Sequence, residues 1–103
     1  MPRASAAPAT PPAVDALIRQ WGAYRLCHVH DAPTTVSRRL DMLDRVWREC
    51  GEQGLFITDP AIVAHHFYAR RARSGRTTRT ARALAAAIED FRAWYAVKQH
   101  RGP

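Results

Sequence analysis

Residues 70–95 read RRARSGRTTRTARALAAAIEDFRAWY, a strongly basic run that turns into an apolar helical pattern. The basic run, residues 70–82, holds six arginines and no acidic residue, in a chain of 103 residues with a formal net charge of +7. The other basic residues are nearly balanced by the nine acidic ones, so almost all of the excess positive charge lies in this segment. The sequence therefore predicts a local cationic patch where a helix begins.

A cationic patch at the beginning of a helix is suited to bind a polyanion. The first N–H groups of a helix lack intrahelical partners, and the helix dipole places partial positive charge at the same end. Arginines there add to a field that already attracts phosphate. A basic run is usually a solvated surface, but the absence of compensating acids favours a binding role here. Hydroxyl groups that can cap the helix or bind phosphate come from Thr77, Thr78 and Thr80.

Length and composition favour a single helical domain. A chain of 103 residues can bury one modest core, and alanine is abundant whereas glycine occurs only five times. No segment approaches the roughly 18 uninterrupted apolar residues of a membrane span. The N-terminal residues also lack the apolar core of a signal peptide. We therefore expect a cytoplasmic protein with no membrane partner.

The spacing of cysteine and histidine argues against a metal site. Cys27 and Cys50 are too few for a disulfide framework, and both fall on apolar helix faces, where small buried hydrophobes are expected. Neither these cysteines nor the His65–His66 pair has the C-x-x-C or H-x-x-x-H spacing of metal ligands. A glycine-rich phosphate loop and a nucleophile beside a base are also missing. We expect no metal, no cofactor, no small-molecule substrate and no catalytic residue in this chain.

The first half of the chain predicts a tail and two amphipathic helices. Residues 1–12 contain four of the seven prolines and are expected to form a disordered tail, so the folded domain would span residues 13–103. The first helix is expected from Ala13 to about His28, with Val14, Leu17, Ile18, Trp21, Tyr24 and His28 on its apolar face. The second would begin at Thr34 or Thr35 and end at Gly51 or Gly54, with Val36, Leu40, Leu43, Val46, Trp47 and Cys50 facing inward.

The second half predicts a buried connector and two further helices. Leu55 and Ile57 are expected to fill the core, and Asp59 to cap a third helix that starts at Pro60. The inward residues of that helix would be Ile62, Val63, His66 and Phe67. A turn at Gly75 would lead to a fourth helix from Thr77 or Thr78 to about Lys98, whose apolar face carries Ala81, Leu84, Ile88, Phe91, Trp94 and Tyr95. Four such helices joined by short loops predict an all-α, compact four-helix bundle.

The order of these elements resembles the core-binding domain of tyrosine recombinases, also called the phage-integrase N-terminal SAM-like domain. The resemblance covers residues 14–103. It rests on three segments that follow the first helix in the family's order: TTVSRRLDMLDRVWRECG (34–51), TDPAIVAHHF (58–67) and SGRTTRTARALAAAIEDFRAWY (74–95). The family's fourth-helix pattern of a Thr followed by apolar positions and aromatics is met by Thr80, Leu84, Ile88, Phe91 and Trp94.

The resemblance implies a function in site-specific DNA recombination and integration. In that family this domain clamps double-stranded DNA at the recombination site, and its second and fourth helices approach the duplex. Carried over by position, the second helix would supply Thr35, Arg38 and Arg39. The fourth helix would supply Arg76, Thr77, Thr78, Arg79 and Arg82, and the basic cluster adds Arg70 and Arg73 as candidate contacts. Other recombinase protomers on the DNA would be further partners.

The catalytic residues of that family lie in a separate C-terminal domain, which would begin after Pro103. The family's His-x-x-Arg motif is missing from this chain. Tyr24, Tyr68 and Tyr95 lie in helical patterns, where aromatic residues usually belong to the core. We therefore expect the chain to be either an excised domain of a longer recombinase or a freestanding remnant, and the ending Gly102-Pro103 favours the former.

Two alternatives remain open from the sequence. A small helix-turn-helix regulator would insert the fourth helix into the major groove as a dimer, and would bind a palindromic operator. A basic protein-interaction adaptor would instead dock an acidic protein and bind DNA weakly.

Overall fold

Three of the four helices begin at a proline, which has the fixed φ of a first helical residue and lacks an N–H that would go unpaired there. The computed structural model describes residues 11–68 and 76–100, and for residues 76–78 the backbone alone. Its helices are α1 (Pro12–Tyr24), α2 (Pro33–Glu52), α3 (Pro60–Tyr68) and α4 (Arg76–His100). The predicted all-α, compact four-helix bundle is confirmed. The predicted tail, apart from its last two residues, and the turn at Gly75 lie outside the described residues.

The beginnings of the helices match the sequence to within one or two residues. The Asp59 cap is confirmed, because its Oδ1 accepts a hydrogen bond of 2.8 Å from the N–H of Ala61. The predicted threonine cap of α2 is wrong. That helix begins at Pro33, one or two residues before the predicted threonines, and Ala32 before it makes no side-chain hydrogen bond as a cap. Proline at the first position takes over the role that a hydroxyl cap would have had.

The core lies where α1, α2 and α4 meet, and α3 closes one side against α4. The inward faces predicted for α2 and α4 are confirmed at their centres, since these residues are almost fully buried. The largest fully buried side chains are Trp21, Leu43, Val46, Leu55, Leu84, Ile88 and Phe91. Leu55 thus fills the core as expected, although it lies in a short helical turn outside the four α-helices.

A five-residue π-helical turn, Arg25–Val29, follows α1 and displaces the predicted apolar face. In a π-turn each N–H bonds to the carbonyl five residues earlier, so the register slips relative to an α-helix. Cys27 and His28 are therefore exposed, and the prediction that both continue a buried face is wrong. The turn ends at His30, which has a left-handed backbone with φ of 66°.

The end of α2 follows the prediction at Gly51, which has φ of 66° and breaks the regular helix. The chain then forms a second π-helical turn, Gln53–Ile57, in which Gly54 is buried. A Cβ at Gly54 would overlap the Cβ of Cys50, so only glycine fits this approach. Cys50 is half-buried, and burial together with the neighbouring Glu49 raises the pKa of its thiol. That thiol therefore stays protonated at neutral pH.

Besides Cys27 and His28, four residues predicted to face the core are exposed instead, namely Tyr24, Ile57, Ile62 and His66. Ile57 is 61% exposed and Ile62 is 60% exposed, and His66 also faces solvent. Because α3 has nine residues and packs mainly against α4, only a narrow face is buried. That face carries Val63 and Ala64, about one residue's rotation away from the predicted one.

Arg92 joins α4 to the second π-turn and was not identified from the sequence. Its Nε donates a hydrogen bond of 2.9 Å to the carbonyl of Leu55, and its Nη2 donates one of 2.9 Å to the carbonyl of Gly54. Burial lowers the pKa of the Arg92 guanidinium, while Asp59 opposes that shift. An arginine nevertheless remains charged at neutral pH, so both hydrogen bonds are charge-assisted.

We expect Arg92→Ala to lower the free energy of unfolding by about 2 kcal/mol, the cost of removing charge-assisted hydrogen bonds from partly buried carbonyls. Arg92→Lys should recover part of this loss, because one ammonium group reaches fewer acceptors in fixed geometry. Urea denaturation followed by circular dichroism measures both values. Equal stability of all three proteins would mean that water replaces the guanidinium without cost.

Candidate nucleic-acid interface

The beginning of α4 carries the positive charge that the sequence predicted. The helix starts at Arg76, and its first acidic residue is Glu89, so its first three turns carry only positive or neutral side chains. Arg79 and Arg82 are both exposed. Their guanidinium groups therefore add to the positive end of the dipole of a 25-residue helix.

The remaining predicted residues of this region are described only in part. Arg76, Thr77 and Thr78 form the first turn of α4, and the structure describes their backbone positions. The candidate contacts Arg70 and Arg73 lie outside the described residues. Of the six arginines in the basic cluster, the structure therefore describes the side chains of Arg79 and Arg82.

On α2, Thr35 and Arg38 are exposed, whereas Arg39 is engaged within the protein. Nη1 of Arg39 lies 3.2 Å from Oδ2 of Asp90 on α4, and 23% of its side chain is exposed. This ion pair ties the N-terminal half of α2 to the middle of α4. Of the two arginines predicted on α2, Arg38 is the one whose side chain has no acidic partner within 4.0 Å in the described part of the chain.

The position of Asp90 relates the basic residues of α2 to those of α4. Arg79 precedes Asp90 by eleven residues, which corresponds to a rotation of about 20° and a rise of about 16 Å along an α-helix. The two residues therefore occupy one stripe of α4. Because Arg39 contacts Asp90 on that stripe, the N-terminal half of α2 and the basic beginning of α4 share one side of the bundle.

Arg45 is a further cation on α2, and it has no acidic partner within 4.0 Å in the described part of the chain. Its guanidinium carbon instead lies 5.3 Å from the centre of the Phe67 ring on α3, and the residue is exposed. It follows Arg38 by seven residues, which places both on nearly the same stripe of α2. The i, i+7 spacing of Arg38 and Arg45 could have shown from the sequence that both arginines lie on one stripe of α2.

Asp90 belongs to a cluster of four charged side chains on this side of the bundle. Nε of Arg25, in the first π-turn, lies 2.6 Å from Oδ2 of Asp31, and its Nη2 lies 4.0 Å from Oδ2 of Asp90. Together with Arg39 the cluster holds two cations and two anions. Its formal charge is therefore balanced, unlike that of the beginning of α4.

The groove between α1 and α2, of about 360 Å³, is lined by three aspartates and two arginines, so it has no excess of positive charge. Nε of Arg19 lies 2.9 Å from Oδ2 of Asp15, and Nε of Arg48 lies 3.1 Å from Oδ2 of Asp44. The exposed arginines of this groove thus have carboxylate partners within one turn of their own helix. In the described part of the chain, the exposed arginines without a carboxylate within 4.0 Å are instead Arg38 and Arg45 on α2 and Arg79 and Arg82 on α4.

Two other kinds of site were sought. Within residues 11–68 and 76–100, no cluster of three or more His, Cys, Asp or Glu side chains could hold a metal ion. No helix formed by those residues combines the length and apolarity needed to cross a membrane. The chain was also compared with known proteins, and no protein-family model, curated protein or solved structure matches it.

Proposed function

We propose that this chain binds duplex DNA as the core-binding domain of a site-specific tyrosine recombinase, without carrying the catalytic residues. The observation that carries the proposal is the exposure of Arg79 and Arg82 on the first turns of α4, ahead of any acidic residue on that helix. Arginine presents a planar fork of donors that matches phosphate oxygens. A helix beginning that lacks acids attracts the same phosphates through its dipole and free N–H groups.

The distribution of charge favours a nucleic acid over a compact anion. Arg79 lies about 16 Å along α4 from the level of Asp90, where α2 brings in its own arginines. Duplex DNA carries one negative charge per about 1.7 Å of its axis, so its backbone offers phosphates over the whole of this distance. A single phosphate or carboxylate ligand would occupy only one end of it.

The exposed arginines are assigned to contacts with DNA phosphates, and these contacts set the register of the domain on the duplex. Contacts with phosphate supply affinity but carry no sequence information, whereas base edges in the major groove do. Sequence reading would then come from the second and fourth helices, whose predicted contacts include the exposed Thr35 and Arg38 on α2. A separate catalytic domain would cut and rejoin the strands, with other recombinase protomers bound on the same DNA.

The test is the affinity of the chain for a random-sequence duplex, measured by fluorescence anisotropy over a series of salt concentrations. We expect log K to fall against log salt with a slope of about −3.6 or steeper, the value for four or more phosphates released from counterions. A poly-glutamate peptide of similar charge serves as the control for an acidic protein partner. Absence of DNA binding at low salt, or tighter binding to poly-glutamate than to DNA, would refute the proposal.

A further inference from the structure

We infer that Asp90 sets the affinity of this chain for DNA, because its carboxylate occupies Arg39 in the free protein and a DNA phosphate must replace it. The inference rests on the proposed function, and it assigns to one acidic residue the control of that same surface. Asp90 is thus a positioning residue, which acts on DNA through the arginine that it holds.

The first support is the position of Asp90 on α4. It lies on the same stripe as Arg79, and with the neighbouring Glu89 it is the first acid after the uncompensated turns of the helix. Its side chain is 42% exposed, so solvent and ligands reach it. Asp90 therefore lies on the stripe of α4 that carries the exposed Arg79.

The second support is the number of cations within reach of this carboxylate. Nη1 of Arg39 lies 3.2 Å from Oδ2 of Asp90, and Nη2 of Arg25 lies 4.0 Å from the same atom. Asp90 also lines an open groove of about 700 Å³, together with Arg25 and Lys98. Nζ of Lys98 lies 5.8 Å from the centre of the Trp94 ring at that groove. A phosphate that enters the groove therefore meets Lys98 and Arg25, the latter also paired with Asp31, beside the carboxylate that holds Arg39.

The replacement of the Asp90 carboxylate by a DNA phosphate changes the electrostatic energy of Arg39 little. A carboxylate and a phosphate both accept paired hydrogen bonds from a guanidinium, so Arg39 loses little when it changes partner. The released Asp90 is partly exposed and can be solvated. Its negative charge nevertheless opposes the approaching DNA. The wild-type chain should therefore bind DNA less tightly than its arginine content allows.

The test compares Asp90→Asn with wild type in the salt series on the random-sequence duplex. We expect the affinity at 0.1 M salt to rise several-fold and the slope to stay near that of wild type, because Arg39 contacts one phosphate in both complexes and the variant removes only the competing carboxylate. Thermal unfolding checks that the variant is folded.

Glu89→Gln is the matched control, since it removes the same charge from the neighbouring exposed residue. It should raise affinity less and leave the slope unchanged, because it releases no arginine. In an Arg39→Ala background, the gain from Asp90→Asn should shrink to that of the control. Arg39→Ala alone should flatten the slope by about 0.9, a readout that serves even if Asp90→Asn fails to fold.

Equal effects of Asp90→Asn and Glu89→Gln would overturn the role of Asp90, as would an unchanged slope in Arg39→Ala. Those outcomes leave the DNA proposal intact as long as the wild-type chain binds with a steep salt dependence. Absence of DNA binding by the wild-type chain would refute the proposed function, and the role of Asp90 with it.

Discussion

Replacing Phe91 with alanine is expected to lower the free energy of unfolding by about 3 to 5 kcal/mol, the usual cost of removing a buried phenyl ring. Phe91 is fully buried at the middle of α4. Its ring centre lies 5.9 Å from that of Trp21 on α1 and 5.9 Å from that of Phe56 in the second π-turn. The truncation would therefore open a cavity between three elements that no single side chain could refill.

Aromatic neighbours on α4 itself add to this cost. The ring centre of Phe91 lies 6.0 Å from that of Trp94 and 6.3 Å from that of Tyr95. Pairs of aromatic rings at such distances each add about 0.5–1.5 kcal/mol beyond the area they bury. Truncation of Trp47, which is only half-buried, should cost less than truncation of Phe91.

Chemical denaturation with urea, followed by tryptophan fluorescence and circular dichroism, measures the effect of Phe91→Ala. Val97→Ala is the matched control, because it shortens an apolar side chain on the same helix that is 55% exposed. That control should change stability by no more than about 0.5 kcal/mol. Phe91→Leu should fall between the two. A loss below about 1 kcal/mol for Phe91→Ala would mean that the core does not depend on this ring.

The sequence was sufficient for the parts of the fold that local periodicity determines. Leu43 and Val46 on α2, and Leu84, Ile88 and Phe91 on α4, recur at intervals of three and four residues, and all of them are buried. Asp59 followed by Pro60 carries its own local signal for a helix start, and the structure has it. Each of these features depends on residues within one or two turns of the chain.

The errors arise where the register changes or where contacts are distant in sequence. The two π-turns have no periodic signature of their own, so His28 was assigned to a continuing apolar face and Ile57 to a buried connector. Ile62 was misplaced because which face of a short helix is buried depends on the helix that it packs against. The carbonyl partners of Arg92 lie 37 and 38 residues earlier in the chain, beyond any local pattern.

The candidate site likewise has one part that local sequence predicts and another that depends on contacts between distant residues. The basic cluster and its coincidence with the beginning of α4 could be identified from composition and helix pattern alone. The pairing of Arg39 with Asp90 joins residues 51 positions apart, and charge counting treated Asp90 as a surface acid that balances arginines. Only the fold shows which arginine it holds and that this arginine lies on the same side of the bundle as Arg79.

The double variant Arg79→Ala with Arg82→Ala should weaken binding to random-sequence DNA and flatten its salt dependence by about 1.8, if each arginine contacts one phosphate. At 0.1 M salt this corresponds to a loss of up to about 60-fold in affinity. Folding should be unaffected, because both residues are exposed and alanine is a strong helix former. Anisotropy titrations over the salt series give both quantities.

The matched control is Arg19→Ala with Arg48→Ala, which changes the net charge by the same amount at exposed arginines paired within the α1–α2 groove. A general attraction between a basic protein and DNA would make the two double variants weaken binding alike. Contact at the beginning of α4 would make only the first pair flatten the slope, because only those arginines would release counterions. Equal losses from both pairs would therefore reject a defined DNA face on α4 while leaving non-specific attraction in place.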